Sequence, residues 1–431
     1  MIMSTLRANF IFLSLTAIIA LSLVLTSCEQ EELIPTDAIT TEETIPGKAS
    51  QTLSNDEQLY IVMFKTDEAQ KSTREAQLQS ISSRKEMTET TKRMSDNFKK
   101  EVETMTQKLN ISPEKVRDYY TFFDGVSMTL TSQQAKDLEN NPLIESIEPD
   151  QEIEVDLPTP EKLDTPPPVN NSQVTDYYGW FNYNHGGYQL GGANKSTWIW
   201  IVDTGIDLNH PDLNVQTSSP YARSFVGGTP DDCNGHGTHV AGSAAALKNG
   251  IGMVGMSEGA RVVPVRIMGC TGGYPLSRLV SALNHVFTYS ITNDVVNMSI
   301  GGSGSLGTSL TIALNNLNAK GVYCAIAAGN SSAHASGFRP ASYNNSRAKT
   351  VASMDYNSFF SSFSNYGMAP VDYIATGRNV YSTYRYGGYA TLSGTSMATP
   401  VVAGIMHARG GLPATSGYVY NRFQWYPKVR L

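Results

Sequence analysis

Three short segments set far apart in the chain carry an acid, a base and a nucleophile. Asp203 lies in Ile-Val-Asp-Thr-Gly, His236 in Asn-Gly-His-Gly-Thr-His, and Ser396 in Gly-Thr-Ser-Met-Ala-Thr-Pro. A serine hydroxyl is almost un-ionised at neutral pH, so it needs an imidazole to take its proton and a carboxylate to orient that imidazole. A lone histidine or serine in a glycine-rich loop is usually structural, whereas the three segments together favour acyl transfer.

The predicted elements place the acid and the base at the ends of regular structure. The apolar run 198–202 predicts a buried strand that ends at Asp203, where open α/β sheets carry their functional side chains. The alanine-rich stretch 238–247 predicts a helix with His236 at its start. Asp203 is therefore expected at the rim of a sheet.

A second predicted helix, 397–406, follows Ser396, and its N-terminal amides favour a developing oxyanion. Pro400 is expected in the first turn of this helix, where its missing N–H has no intrahelical acceptor. Asn330 follows the apolar run 322–328 and is the second expected oxyanion donor. The sequence thus predicts an anion-stabilising site beside the nucleophile.

These segments resemble the subtilase family of serine endopeptidases, over nearly the whole chain from about residue 173 onward. The stretches 231–236 and 266–270 are similar to the proteinase K/aqualysin-like branch of that family. The resemblance implies an α/β catalytic domain with three layers and a mostly parallel sheet, which needs no organic cofactor. It assigns Asp203, His236 and Ser396 as the catalytic triad, with Asn330 as oxyanion donor.

The resemblance also implies where a substrate lies. Gly272 and Gly273 belong to the edge that pairs with the substrate backbone, a form of strand addition. The pocket for P1, the residue on the amino side of the scissile bond, has walls formed by Ser299, Ile300, Gly301, Gly302, Ala327, Ala328 and Gly329.

These pocket walls predict broad specificity with an apolar or aromatic preference at P1. Ala327, Ala328, Gly301 and Gly302 are small and neutral. A basic P1 side chain would need a buried carboxylate partner, and the predicted walls offer none.

A candidate calcium site follows from the same resemblance. It consists of the backbone carbonyls of Pro340 and Ser342 and the carboxylate of Asp372, and oxygen ligands suit a hard cation. The alternative for Asp372 is an acid at the surface without a metal.

Charge divides the chain into two parts of opposite sign. The residues before Val174 carry 16 Lys and Arg against 29 Asp and Glu, and those from Val174 onward carry 16 against 10. This pattern predicts two bodies that attract one another, and not a nucleic-acid-binding protein. A solvated acidic tail is the alternative.

The N-terminus has the pattern of a targeting segment. Arg7 precedes an apolar run of about 16 residues, which suits an export signal better than a membrane span of ~20 residues. The run ends in Leu-Thr-Ser-Cys28, which resembles a bacterial lipobox whose cysteine is acylated. We expect residues 1–27 to be a lipoprotein signal peptide and residues 28–57 a polar tether; an ordinary cleavage site with an incidental cysteine is the alternative.

Residues 58–155 predict a small α+β domain. An alternating strand at 59–64, a long helix at 84–109, strands at 118–123 and 126–130, a helix at 132–140 and a final extended segment give the β-α-β-β-α-β order of ferredoxin-like domains. The stretches 124–130 and 147–150 resemble the inhibitor-type propeptide of subtilases; an unrelated α+β module is the alternative. Residues 156–173 predict a proline-rich linker that contains the maturation cleavage, with the peptidase domain at 174–431.

The cysteines fit an exported protein. Cys233 and Cys270 can pair in an oxidising compartment, as they do in the branch that this chain resembles, with unpaired thiols as the alternative. Cys324, inside an apolar run, is expected to be an inert core thiol. The chain has no Cys–His spacing typical of a zinc site.

We expect an exported, monomeric serine endopeptidase made as a zymogen. Its partners are protein and peptide substrates, its own propeptide as an intramolecular inhibitor, and the bacterial membrane through acylated Cys28 before maturation. The mature enzyme is expected in the cell envelope or released from it. The alternative is a catalytically silent surface lipoprotein that uses the fold for binding.

Overall fold

A computed structural model describes residues 56–65, 68–79, 81, 83–155, 157–164 and 178–431. The chain divides into a unit of residues 1–47, which lies outside the described residues, and a unit of residues 48–431. The predicted signal peptide, Cys28 and most of the predicted tether and linker also lie outside them. Among the described residues, no helix combines the length and apolarity that a membrane crossing needs.

The first part of the described chain, which we call the N-terminal module, is an α+β domain. Its elements are β1 (Glu57–Phe64), α1 (Glu68–Gln79), α2 (Arg84–Lys108), β2 (Val116–Tyr120), β3 (Gly125–Thr131), α3 (Ser132–Glu139), β4 (Ile144–Pro149) and β5 (Glu152–Ile153). Four strands form an antiparallel sheet in the order β2-β3-β1-β4. The predicted ferredoxin-like order is present, with α1 as an additional helix that the sequence reading missed.

We call residues 178–431 the C-terminal domain; the short strand β6 precedes it in the predicted linker. The elements from the linker to the middle of this domain are β6 (Lys162–Asp164), α4 (Trp180–Asn184), β7 (Ile199–Asp203), β8 (Arg223–Ser224), α5 (His236–Ala245), β9 (Val262–Arg266), β10 (Tyr274–Pro275), α6 (Leu276–Tyr289), β11 (Val295–Met298) and β12 (Gly302–Ser303). The remaining elements are α7 (Thr308–Ala319), β13 (Tyr323–Ala327), β14 (Phe338–Arg339), β15 (Ala348–Met354), β16 (Val371–Thr376), β17 (Val380–Tyr384), β18 (Gly388–Leu392), α8 (Thr395–Arg409), β19 (Ala414–Asn421) and β20 (Gln424–Arg430).

The C-terminal domain has the predicted three layers. Its main sheet has the order β19-β20-β16-β15-β13-β11-β7-β9-β8, and every pairing in it is parallel except that of β19 with β20. Helices α5 and α8 pack on one face, where their alanine and valine side chains form a core with Ile199 and Ile201. Helices α6 and α7 cover the other face, over Trp200 and Val202. Alternate residues of β7 thus enter opposite cores, which explains why this strand is apolar throughout.

The N-terminal module packs on the face covered by α6 and α7. Its helix α2 lies against α6, and Met87 and Phe122 belong to the same buried cluster as Phe287 of α6. The rings of Phe122 and Phe287 are 5.0 Å apart. The module therefore extends an apolar core of the C-terminal domain.

The hairpin of β19 and β20 forms one edge of the main sheet. Its outer side chains include Tyr420 and Trp425, whose rings are 4.8 Å apart and largely exposed. His185 holds the hairpin to the domain, because its Nδ1 lies 2.7 Å from the Val429 carbonyl and its Nε2 accepts the Thr376 N–H at 3.0 Å. Burial lowers the pKa of His185 to about 4, so this contact is made by a neutral ring.

The predicted disulfide joins Cys233 to Cys270 with an S–S distance of 2.10 Å. Cys324 is a free cysteine buried in β13, and burial raises the pKa of its thiol to about 12. The thiol is therefore un-ionised and inert, as expected.

Candidate active site

Asp203 is the last residue of β7 and is fully buried. Its Oδ1 accepts the N–H of Thr204 at 2.7 Å and lies 2.7 Å from Nδ1 of His236. The two residues can be this close because Gly237 has no side chain: a Cβ there would lie 2.1 Å from the Gly205 carbonyl and 3.2 Å from Oδ1 of Asp203. The glycine after the histidine is thus required by a close approach of two backbone segments.

His236 is the first residue of α5 and is also fully buried. Burial lowers the pKa of its imidazole, but the charge of Asp203 and the hydrogen bond to it outweigh burial, so the pKa is raised above 6.5. The carboxylate fixes a proton on Nδ1 and leaves Nε2 as the basic nitrogen. Nε2 has no hydrogen-bond partner among the described residues, so it is available to a nucleophile or a substrate.

Asp232 holds the histidine segment against the aspartate strand, and the sequence reading assigned it no role. One carboxylate oxygen accepts the Thr204 hydroxyl at 2.9 Å, and the other accepts the N–H and hydroxyl of Thr238 at 2.9 and 2.6 Å. The sequence feature that could have indicated this role is the pair of acids, Asp231 and Asp232, directly before Cys233.

Ser396 lies in the first turn of α8, and its hydroxyl donates to the Ser299 carbonyl at 3.0 Å. The prediction for Pro400 was wrong, because α8 begins at Thr395 and Pro400 is the sixth residue of the helix. The proline therefore leaves the Ser396 carbonyl without its helical donor. The hydroxyl of Ser299 donates to this carbonyl instead, at 2.8 Å, which ties the nucleophile segment to the end of β11.

Asn330 follows β13 and is oriented by the start of α8. Its Oδ1 accepts both the N–H and the hydroxyl of Thr395, at 2.8 and 2.9 Å. Because the side-chain carbonyl is occupied, the amide nitrogen Nδ2 is the end directed at the neighbouring cavity. It would lie 3.4 Å from a Cβ at Gly394, so the glycine leaves room around it.

One cavity of about 360 Å³ brings together most of the predicted catalytic and substrate-binding residues. The predicted residues that line it are Ser299, Ile300, Gly301, Gly302, Ala327, Ala328, Gly329, Asn330 and Ser396. Gly272 and Gly273 lie directly before β10, the strand that borders the cleft, and do not line the cavity.

The last strand of the N-terminal module occupies the cleft that leads to this cavity. β5 pairs antiparallel with β10, with Ile153 opposite Tyr274. A Cβ at Gly272 would lie 2.9 Å from the Val155 carbonyl, and one at Gly302 would lie 2.9 Å from the Glu154 carbonyl. The module thus adds an extended segment between two edges of the C-terminal domain, as a peptide substrate would.

Comparison with known proteins agrees with this geometry. The subtilase family (Peptidase S8) matches residues 194–408, and the peptidase inhibitor I9 family matches residues 59–156. An alkaline protease of Alkalihalobacillus alcalophilus is 35% identical over 306 residues, which cover 70% of this chain and 73% of the relative. The chain belongs to the subtilase family.

Two further similarities each cover about half of the chain. Subtilisin Savinase of Lederbergia lenta is 43% identical over 208 residues, which cover 48% of this subtilase and 73% of the relative. The crystal structure of a cold-adapted subtilisin-like serine proteinase is 34% identical, covers 50% of this subtilase and 76% of that chain, and has a TM-score of 0.45. The two family matches and the alkaline protease relative show that this subtilase is a serine protease whose N-terminal module is an inhibitor I9 propeptide.

The cavity of this subtilase also contains a charged residue that the sequence reading missed. Arg339, the second residue of β14, lines the cavity together with the small neutral residues. It is only 6% exposed, and its Nε has no hydrogen-bond partner. A single arginine before a proline carries no motif, so only the pairing of β14 with β12 reveals its position.

The residues of the candidate calcium site do not fit a metal ion. Oδ1 of Asp372 lies 3.0 Å from the Lys349 ammonium, which also donates to the Asn345 carbonyl at 3.0 Å. The Pro340 carbonyl accepts the N–H of Tyr343 at 2.9 Å. A lysine thus supplies the positive charge at Asp372, and no cluster of metal-ligating side chains is found in the described part of the chain.

Proposed function

We propose that this subtilase is an exported endopeptidase in which Ser396 is the nucleophile, His236 the general base and Asp203 the residue that orients it. The observation that carries the proposal is the 2.7 Å contact between Asp203 and His236 beside a cavity that Ser396 and Asn330 both line. Ser396 attacks the scissile carbonyl while Nε2 of His236 takes its proton and later delivers it to the leaving amine. The Ser396 N–H and the Asn330 amide stabilise the oxyanion.

The hydroxyl of Ser396 must turn from the Ser299 carbonyl toward Nε2 of His236 before the reaction. This rotation is about one single bond, and catalytic hydrogen bonds are commonly longer in the absence of a substrate. Because the pKa of His236 is raised, activity falls as the pH drops through that pKa and the imidazole becomes protonated.

Labelling with a fluorophosphonate tests the assignment. The wild-type chain should be labelled at Ser396 and should lose the N-terminal module, since a segment lying in the cleft is most simply cut by the domain that it covers. The Ser396→Ala chain should be unlabelled and should stay uncut. A wild-type chain that resists both labelling and maturation would instead be the silent surface lipoprotein.

The site supports broad specificity, because the backbone pairing at β10 does not discriminate side chains. The neutral walls Gly301, Gly302, Ala327 and Ala328 favour an apolar or aromatic P1 residue. Arg339 lines the same cavity and is the one charged residue of the C-terminal domain among its lining residues.

The proposed location of the zymogen follows from chain order. Acylation at Cys28 would anchor the N-terminal module, and a cut between residues 156 and 173 would separate the module from the enzyme. Maturation then leaves the module on the membrane and releases the protease. Fractionation with antibodies to each half tests this arrangement, and a processed catalytic domain that stays membrane-bound after the module has been degraded would contradict it.

A further inference from the structure

The uncut chain leaves the N-terminal module and pairs a second time with the C-terminal domain. The short strand β6 adds antiparallel to the edge of β18, in a three-stranded sheet of the order β17-β18-β6. Just before β6, the Glu161 N–H donates to the Thr391 carbonyl at 2.9 Å, and the Ser393 hydroxyl donates to the Glu161 carboxylate at 2.5 Å. The chain is therefore bound by two strands of the C-terminal domain, first by β10 and then by β18.

These contacts show which part of the chain passes the nucleophile. Val155 lines the cavity that contains Ser396. Leu157 still lies on the β10 side, because a Cβ at Gly272 would be 3.3 Å from its Cδ1. Glu161 already contacts β18, the strand that ends shortly before Ser396. The segment that passes the nucleophile thus connects Leu157 with Glu161, and β6 follows it.

The edge of β18 is held in place independently of β6. The strand pairs with β17 over its whole length. Tyr389 is buried, and its hydroxyl donates to Oδ2 of Asp212 at 3.2 Å. At the start of the strand, Nε2 of His210 lies 3.0 Å from the Gly388 carbonyl. Among the described residues β6 alone pairs with the outer edge of β18, so its removal leaves unpaired backbone groups that can accept another extended chain.

We propose that this edge of β18 binds the part of a polypeptide that follows the scissile bond, and that β6 of the uncut chain is its first occupant. The inference rests on the proposed peptidase function and places the maturation cut between Leu157 and Glu161. The ligand is an extended chain that is recognised through its backbone, because strand addition depends on main-chain hydrogen bonds. The site therefore favours unfolded protein substrates over peptides that end close to the cut.

The first cut does not by itself empty this edge. The new N-terminus still carries β6, and its covalent connection to the C-terminal domain keeps β6 near β18 at an effective concentration on the order of millimolar. Release of the N-terminal module opens the β10 side, whereas the β18 side stays occupied. β6 thus competes with substrates until it is removed from the edge.

Peptides copied from this part of the chain test the proposal. All of them begin at Asp150; the short peptide ends at Pro160 and the long peptide at Thr165. A third peptide has the length and composition of the long one but carries D-residues at 162–164, which disfavour the backbone conformation of an L-strand. Initial rates and kcat/KM are measured for cleavage of the bond that the chain itself cuts in maturation.

The enzyme is the matured double variant Lys162→Pro/Leu163→Pro, in which β6 no longer fills the edge. Adjacent N–H groups of a strand point to opposite sides, so one of the two prolines removes a donor that faces β18. The control, Asn170→Pro/Asn171→Pro, introduces the same two prolines outside β6. Fluorophosphonate labelling of each variant checks that its active site is folded.

For the double variant in β6 we expect kcat/KM to be at least about fivefold higher with the long peptide than with the short one, as one or two backbone hydrogen bonds predict. The peptide with D-residues should be cleaved like the short one. In wild type and in the control variant the long peptide should gain less, because β6 competes with it.

The possible results separate this proposal from the one on which it rests. Equal rates with the long and short peptides in the double variant overturn the role of β18 and leave the peptidase intact. An advantage of the long peptide that the D-residues preserve also overturns it, since no strand pairing is then involved. Absence of cleavage and of labelling in wild type overturns the peptidase assignment. If the double variant fails to fold, the wild-type enzyme gives the same comparison at peptide concentrations above the effective concentration of β6.

Discussion

The N-terminal module contacts the two ends of helix α6 in different ways. At the first turn, Asp150 accepts the N–H and the hydroxyl of Ser277, at 2.8 and 2.6 Å. At the last residue, Arg84 donates to the Tyr289 carbonyl at 3.1 Å. An anion at the N-terminus and a cation at the C-terminus both match the helix dipole, so the module complements α6 at both of its ends.

The two contacts differ in what surrounds them. Asp150 replaces a cap that the helix lacks, because Pro275 makes no side-chain capping bond. Burial raises the pKa of the Asp150 carboxyl, although its hydrogen bonds with Ser277 act in the opposite direction. The carboxylate therefore gives up part of its hydration for two bonds to neutral groups.

Arg84 enters a much more specific site. Its guanidinium pairs in a bidentate way with Asp294, at 2.7 and 2.8 Å, and lies 3.5 Å from the ring centre of Trp198. Asp294 is fully buried and also accepts the N–H of Trp198 and the indole N–H of Trp200, both at 2.9 Å. A local, buried and bidentate ion pair therefore ties the module to the far end of α6, in addition to the charge difference between the two bodies.

The largest effect is expected for Arg84→Ala. Breaking a buried ion pair by removing one partner costs about 3 kcal/mol or more, which is roughly a 100-fold change in an opening equilibrium. Hydrogen exchange of the α2 amides in the uncut Ser396→Ala chain should be faster by that factor. Exposed Lys85 provides the control. Equal exchange rates in Lys85→Ala and Arg84→Ala would show that any positive charge at this end of α6 has the same effect, and that the ion pair with Asp294 is not specifically required.

A smaller effect is expected from pH, through Lys320 near the same end. Its ammonium donates to the Phe287 carbonyl and lies 3.8 Å from Sδ of Met87 in the module. Burial lowers the pKa of Lys320 to about 7, against the effect of Asp294. The docked state therefore binds fewer protons than an undocked state in which Lys320 is hydrated, so docking strengthens as the pH rises from about 7 toward 10.5.

Exchange of the α2 amides, corrected for its intrinsic pH dependence, measures this effect. Opening should become up to about fivefold rarer between pH 7 and 8 in the wild-type interface, as the linkage relation requires. Lys320→Met should remove the dependence. A pH dependence that survives this substitution would assign it to another group.

The smallest effect is expected for Asp150→Asn at the other end of α6. The amide oxygen still accepts the Ser277 N–H, and the amide NH2 can donate to the Ser277 hydroxyl, which reverses that bond. The main loss is then the charge that interacts with the helix dipole, worth about 0.3–1 kcal/mol, or roughly two- to fivefold in opening. Exposed Glu145 is the matched acid, and Glu145→Gln should leave exchange unchanged. If Asp150→Asn accelerated hydrogen exchange as much as Arg84→Ala does, the two ends of α6 would contribute equally to docking.

The sequence predicted the parts of the molecule that depend on local pattern. The strand that ends at Asp203 and the helices that begin near His236 and Ser396 follow from apolar runs and small residues that are contiguous in the chain. The edge at Gly272 and Gly273 stays a prediction for a substrate, and β5 of the module pairs with the strand that follows it. These features need only short-range information and a family resemblance.

Contacts between distant segments were not predictable in the same way. Arg339 reaches the cavity through the pairing of β14 with β12, and Arg84 reaches Asp294 across 210 residues of sequence. Nothing adjacent to either arginine in the sequence distinguishes it from a surface residue. Helix α1 was missed because its polar composition gives little amphipathic pattern.

The ammonium of Lys349 beside Asp372 has a consequence for how the enzyme depends on its surroundings. A bound metal ion stabilises a protein by an amount that grows with the free ion concentration and vanishes when a chelator removes the ion. Lys349 is covalently part of the chain, so its concentration near Asp372 is set by the fold and does not depend on the composition of the medium. At this position the folded state carries the counter-ion of Asp372 as part of the chain, and this ion pair draws no metal ion from the medium.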